Sequence, residues 1–311
     1  MTTRRLFRRH PFALLATCGL AAALACASSA PPPREFDGQQ AFAYARTQLA
    51  FGPRIPGTPG HERMAAWLDS LLRTRADTVI VQAWDHRTQD GKTLALRNVL
   101  ARFNPQASAR VLLFAHWDTR PRSDGPSSTD STAPVPGADD GASGVSVLLG
   151  LADVLHAKAP AIGVDLLFVD GEDYGDFEVP GRPDVLIGAR YYADHPVPPL
   201  PRYAVLLDMI GDRTLQIKKE GYSESAAPEV VDRIWAAAAR LGHQATFVDE
   251  TFDVIDDHLE FHRVGIKAVD LIDLDYPWWH TKDDTADKLS VASLQAVGDV
   301  GMGLVRTERS Q

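Results

Sequence analysis

Short apolar runs, each ending in a histidine or a carboxylate, constrain this chain more than any other feature. Val111, Leu112, Leu113 and Phe114 lead into His116-Trp117-Asp118. Gly163–Val169 leads into Asp170-Gly171-Glu172-Asp173, and 203–207 into Asp208. The run at 266–272 precedes a loop carrying Trp278-Trp279-His280. Runs of this length, bounded by turn residues, read as strands covered on both faces. Two further strands are expected at 78–83 and 93–103, and a short one at 214–218. Segments of helical length lie at 36–49, 61–74, 144–156, 188–194, 228–241, 257–264 and 291–306. The alternation predicts an α/β fold: a single domain with a mostly parallel, mixed central sheet and helices on both faces. In open sheets of this kind the ligand crevice forms beyond the carboxyl ends of the strands. His116, Glu172, Asp173, Asp208 and His280 all fall there.

The ends of the chain read differently from its body. Arg4, Arg5, Arg8 and Arg9 precede an apolar stretch at 12–25 that is too short to span a bilayer as a mature helix. Residues 1–25 are therefore expected to be an export signal. Ala23-Leu24-Ala25-Cys26 resembles a lipoprotein processing site, which makes Cys26 a candidate lipid anchor and the one expected membrane attachment. Residues 26–35, with Pro31-Pro32-Pro33, read as a tether, and 36–311 as one catalytic domain. The expected location is the periplasm or cell envelope, and the expected state a monomer. Both cysteines, Cys18 and Cys26, lie in the leader, so the body holds neither a disulfide nor a thiolate metal site. A net charge of -9 argues against a nucleic-acid partner.

His116, Asp140, Asp173, Asp208 and His280 form a set of nitrogen and oxygen donors suited to zinc. Asp140 closes Pro136-Gly137-Ala138-Asp139-Asp140, just before an apolar helix. Asp118 lies two residues beyond His116, on the same side of a strand end. There it is placed to accept a hydrogen bond from the other ring nitrogen and fix the tautomer. Singly these residues have ordinary uses: Asp140 would cap the helix after it, and Asp256 the helix at 257. Recurrence at equivalent strand ends is what carries the metal reading. His61, His86, His156, His195, His243 and His262 show no partner pattern and are expected to be solvated.

The motifs, in order, resemble those of the glutaminyl-peptide cyclotransferases, which share a superfamily with the co-catalytic zinc aminopeptidases. They are His116-Trp117-Asp118, the Pro136–Asp140 segment, Gly171-Glu172-Asp173, Leu206-Leu207-Asp208-Met209-Ile210-Gly211, Asp256-Asp257-His258 and Trp279-His280-Thr281. The likeness runs from about Phe51 to the C-terminus. It implies one zinc ion held by Asp140, Asp173 and His280, with Glu172 as acid/base. It implies a hydrogen-bonded carboxylate pair of Asp208 and Asp256, and His258 as a structural residue beside the site. Trp279 and Tyr276 would wall the substrate pocket together with Trp117 and Phe177, the last replacing a Trp of the vertebrate enzymes. Asp173 stands where those enzymes have Glu, a shorter reach to the metal.

The implied reaction is attack of an N-terminal glutamine α-amine on its own side-chain amide, with loss of ammonia, so the expected partners are peptides and proteins with N-terminal Gln. One rival is a dizinc aminopeptidase in which His116 and Asp208 hold a second ion and Glu172 activates water. Asp256 stands where such aminopeptidases usually carry Ser. A second rival, a non-catalytic exported binding protein on the same scaffold, would call for loss of Glu172 or of a ligand, and none is lost.

Overall fold

In a computed structural model of the chain, which describes residues 1–2 and 34–309, the apolar runs become the centre of a six-stranded sheet. The expected export signal, Cys26 and most of the tether lie outside the described residues. Strands β3 (Arg110–His116), β4 (Gly163–Val169), β5 (Ala204–Asp208) and β8 (Ala268–Ile272) are buried at every position and run parallel. A hairpin of β1 (Thr78–Arg87) and β2 (Thr93–Phe103) joins β4 antiparallel, giving the order β1-β2-β4-β3-β5-β8. The sheet is thus mixed and mostly parallel.

Successive side chains of a strand point to opposite faces, and β3 shows what each face meets. Val111, Leu113 and Ala115 enter one core with α1 (Gly38–Ala50), α2 (Pro59–Arg73), α3 (Ala142–Ala157), α6 (Pro228–Leu241) and α8 (Val291–Thr307). Leu112 and Phe114 enter a second core with Tyr192 of α4 (Ile187–Asp194) and Phe261 of α7 (His258–Arg263). The Phe114 and Phe261 rings lie 4.5 Å apart. At the amino-terminal end of the sheet, fully buried Asp165 pairs with Arg102 at 2.9 Å and Arg110 at 2.6 Å.

The strand expected at 214–218 forms instead as β6 (Ile217–Glu220) and stays out of the main sheet. It pairs with β7 (Phe247–Phe252), a segment that reads as loop because Asp249, Glu250 and Thr251 at its centre are exposed polar residues. A short helix, α5 (Gly221–Ala226), follows β6. The Glu220 carboxylate caps it by accepting from Tyr222 N and Ser223 N.

Candidate metal centre

The carboxyl ends of the parallel strands converge on one cluster. His116 is the last residue of β3, Asp208 the last of β5, and Glu172 and Asp173 follow β4. Asp140 arrives from the long loop after β3. Gly141 then turns the chain into α3 at φ 93°, where a Cβ would come within 2.9 Å of Asp118 O and 3.1 Å of His116 Cε1. Only glycine makes that turn without strain. His280 sits beyond β8 at φ 53°, in the left-handed region, and its carbonyl accepts Gly125 N at 3.0 Å. A β-carbon-bearing residue held there costs strain that the surrounding contacts must offset.

Two donor sets share Asp140. Its Oδ1 lies 3.2 Å from His116 Nε2, which is also 3.1 Å from Asp208 Oδ1. Its Oδ2 lies 3.6 Å from His280 Nε2, which is 3.2 Å from Asp173 Oδ1. In each set one donor atom per residue falls close enough to the others to hold a single ion. Asp140 Oδ2 and Asp173 Oδ2 are buried with no hydrogen-bond partner. Buried carboxylate oxygens are costly to leave unmet, and a cation at Asp140, Asp173 and His280 meets both. Imidazole with two carboxylates is a donor set zinc accepts. The residues present therefore fit the metal.

The charges around the cluster are arranged for it. Burial acts to raise the Asp173 carboxyl, but His280 and Arg120 outweigh it and hold the group below the usual range. Burial and the Asp173 charge raise Asp140. Burial also works against the His280 cation, yet Asp173, Asp124 and Asp140 push its pKa up to about 9 in the metal-free protein. Glu172 is buried beside Asp173 and held well above the ordinary carboxylate range. Asp256 is likewise raised, by burial first and then by repulsion from Asp208. Glu172, Asp208, Asp256, Asp140 and His280 line one cavity of about 500 Å³, together with Trp279 and Phe177.

Several residues sit elsewhere than the sequence suggests. Asp118 does not reach the His116 ring: Nδ1 is 3.7 Å away, and the two carboxylate oxygens accept Glu172 N at 3.0 Å and Asp173 N at 3.2 Å. It orients the loop bearing both acids rather than the imidazole. Trp117 is fully buried, stacked on His61 at 4.4 Å, with Nε1 donating to Arg97 O, and so belongs to the core and not to the pocket. Tyr276 lies behind the cavity wall and donates its hydroxyl to Asp284 at 2.6 Å. Asp208 bonds to His116 and acts on Asp256 by repulsion rather than through a hydrogen bond, and Asp256 acts in the same way on buried Asp270. Asp256 does not cap α7, which has no side-chain cap. His258 is fully buried between Glu220 at 3.1 Å and Asp270 at 3.4 Å; burial, more than Glu220 offsets, lowers its pKa. His61 is not solvated but buried against Asp170 at 2.9 Å. His86 pairs with Asp184 at 2.9 Å and His243 with Asp299 at 3.1 Å, whereas His156 and His195 are exposed.

Four supporting residues escaped the sequence reading. Arg120 donates to Asp173 Oδ1 at 2.8 Å and leaves Oδ2 free for an ion. Asp124 backs His280 Nδ1 at 3.5 Å, with its own carboxyl held low by His280 and Arg120 against the effect of burial. Asp284 accepts the backbone amides of Asp139 at 2.9 Å and Asp140 at 3.2 Å. Arg54, fully buried, donates to the carbonyls of Trp117, Pro136 and Gly137 and latches the loop that carries Asp140. Arg54 stands in a Pro/Gly-rich segment whose local signal is only a turn.

A crossover sheet with this donor set at its carboxyl end defines a zinc-peptidase-like scaffold. The sequence model of peptidase family M28 matches residues 98–305, and the chain belongs to that family. It is 28% identical over 280 residues to the glutaminyl-peptide cyclotransferase of Drosophila melanogaster, covering 78% of this chain and 73% of that protein. Among solved structures it resembles the Bacteroides thetaiotaomicron glutaminyl cyclase bound to N-acetylhistamine, with 36% identity and a TM-score of 0.84 over 89% of this chain and 99% of that one. It resembles a leucine aminopeptidase precursor from the same organism equally well, with 37% identity and a TM-score of 0.84 over the same shares. The expected fold class and the likeness to glutaminyl cyclases both hold.

Proposed function

We propose that this protein closes the N-terminal glutamine of peptides and proteins into pyroglutamate, releasing ammonia. The observation that carries the reading is the trio of carboxylates, Glu172, Asp208 and Asp256, opening onto one cavity across from Asp140 and His280. Zinc bound by Asp140, Asp173 and His280 would supply a Lewis acid for the side-chain carbonyl oxygen. A bond forms between the α-nitrogen and the side-chain amide carbon, the bond from that carbon to the amide nitrogen breaks, and no water is consumed. Glu172, raised by burial, takes the proton from the attacking amine and delivers it to the departing nitrogen. Asp256, raised by burial and then by the Asp208 charge, holds a proton where an N–H must be accepted or returned. Trp279 and Phe177 confine the short side chain and keep water out.

A specific observation supports a second reading. His116, Asp140 and Asp208 form a complete second donor set, as a dizinc aminopeptidase would use, with Glu172 then activating water. One experiment separates the two: zinc-loaded protein, wild type and Glu172→Gln, given a Gln-initiated peptide and an amino-acid anilide, with products followed by mass spectrometry. Loss of ammonia from an otherwise intact peptide, absent in the variant, supports cyclisation. Release of the first residue with gain of water overturns it in favour of the hydrolase. The leader supports an exported, envelope-held protein. A wild-type chain found in the soluble cytosolic fraction on cell fractionation would refute that location.

A further inference from the structure

The amino-terminal end of the parallel strands carries a second concavity, opposite the catalytic one. It measures about 430 Å³ and is lined by Arg202, Arg233, Arg240 and Arg309, with Glu308 the one carboxylate among its lining residues. Arg202 precedes β5 and bonds through its amide to Arg110 O at 2.9 Å; Arg233 and Arg240 belong to α6, and Arg309 follows α8. Glu308 is already engaged, accepting Tyr203 Oη at 2.8 Å and Arg233 Nη1 at 2.5 Å. Arg202 and Arg233 share Glu308, at 3.6 Å and 2.5 Å, and among the lining residues arginines outnumber carboxylates, on a chain whose net charge is -9.

The chain also enters the body beside this pocket. Glu35 is held by Arg306 at 2.7 Å and Lys158 at 3.0 Å, and Arg309 donates to Arg306 O at 3.1 Å. The leader with its apolar stretch and candidate anchor Cys26 is thus covalently attached a few residues from the arginines. Arginine presents a planar fork that matches phosphate oxygens, and cations close to an anionic lipid surface are drawn to it until salt screens them.

We propose that this arginine pocket seats the phosphates of anionic phospholipid headgroups, so that the protein lies on a membrane with its catalytic cavity facing away. One strand length, roughly 20 Å, separates the two ends. The inference does not depend on which reaction the cavity catalyses.

The test is hydrogen exchange on the full chain reconstituted in vesicles of phosphatidylcholine alone or mixed with phosphatidylglycerol. The leader attaches the protein to both, so the difference reports the pocket. Amides at 233–241 and 300–309 should exchange about tenfold more slowly on the anionic vesicles, and the difference should vanish at high salt and in Arg240→Glu/Arg309→Glu. An unchanged melting temperature certifies that variant, and Arg240→Gln replaces it if folding fails. Equal exchange on both vesicle types, or full protection in the variant, overturns the proposal. So does protection by inorganic phosphate without any by phosphatidylglycerol, which would mark a free-anion site.

Discussion

Replacing Asp284 with Asn leaves every metal ligand in place and removes a charge behind them. Asp284 Oδ1 accepts Asp139 N at 2.9 Å and the Tyr276 hydroxyl at 2.6 Å, and Oδ2 accepts Asp140 N at 3.2 Å. Asparagine keeps the first two on its carbonyl but turns an NH2 against the Asp140 amide. Losing a bond to a charged acceptor, with its donor left buried, costs about 1.5–3 kcal/mol. That cost falls on the backbone of the residue shared by both donor sets, and zinc affinity should drop by about 10–100-fold. A second effect has the opposite sign. Burial, then the Asp140 charge, pushes the Asp284 carboxyl up to about 7 in the metal-free protein, from an ordinary aspartate value of about 4. A carboxyl raised on folding is stability-neutral below its unfolded pKa and lowers stability as pH climbs toward the folded value. From about pH 4 to just above pH 7 the metal-free wild type should lose up to roughly 4 kcal/mol through this group. The amide does not titrate. The metal-free variant should therefore melt no lower than wild type at about pH 8, and lower at about pH 4, where the wild-type carboxyl is still protonated in both states, while binding zinc more weakly. Competition with a chromophoric chelator measures the affinity, and thermal melts at the two pH values measure stability. Wild-type zinc affinity, or an equal loss of stability at both pH values, would refute the reasoning.

Glu172→Gln should lower turnover by about 10²–10⁴-fold with zinc content unchanged; a variant that also loses its metal would show Glu172 to be a ligand. Trp117→Leu and Trp279→Ala should separate core from pocket. The buried Trp117 change should cost about 3–5 kcal/mol of stability, read by denaturant unfolding, with kcat/KM of the folded fraction nearly intact. Trp279→Ala should mainly raise KM, and equal behaviour of the two would undo the distinction. Asp165→Ala strands Arg102 and Arg110 inside the sheet and should destabilise by about 3–5 kcal/mol, without altering product identity in the peptide assay.

The central strands were legible because 111–114 and 163–169 carry unbroken apolar runs, and burial on both faces leaves no other solution for such runs. His116 and Asp208 were legible for the same reason, as the first polar side chains at the ends of apolar runs, and Asp140, Asp173 and His280 through the short motifs in the loops that follow such runs. β7 was not, because its exposed Asp249, Glu250 and Thr251 gain their strand only from pairing with β6. His61 could not be told from a solvated histidine, because Asp170 lies far from it in sequence and meets it only when α2 packs on the sheet. Trp117 misled through adjacency: beside His116 on a strand, it must point to the opposite face. Arg54, Asp124 and Asp284 act through backbone amides, carbonyls and ring nitrogens, which no residue pattern encodes.

Each ligand on the proposed metal, Asp140, Asp173 and His280, comes from a loop after a different strand, and long stretches of chain separate them. In a body without cysteine, such an ion is a covalent-like cross-link between remote loops. Unlike a disulfide it leaves the unfolded chain unrestricted, because its site exists only where the three loops have met, and its binding energy counts as folding energy. Order of assembly follows: the strands must pair before the three loops can meet, so the ion is captured late and locks a sheet already formed. A cell compartment poor in zinc would then hold a folded but loosely closed protein, its loops open to proteolysis while the strands beneath them stay intact.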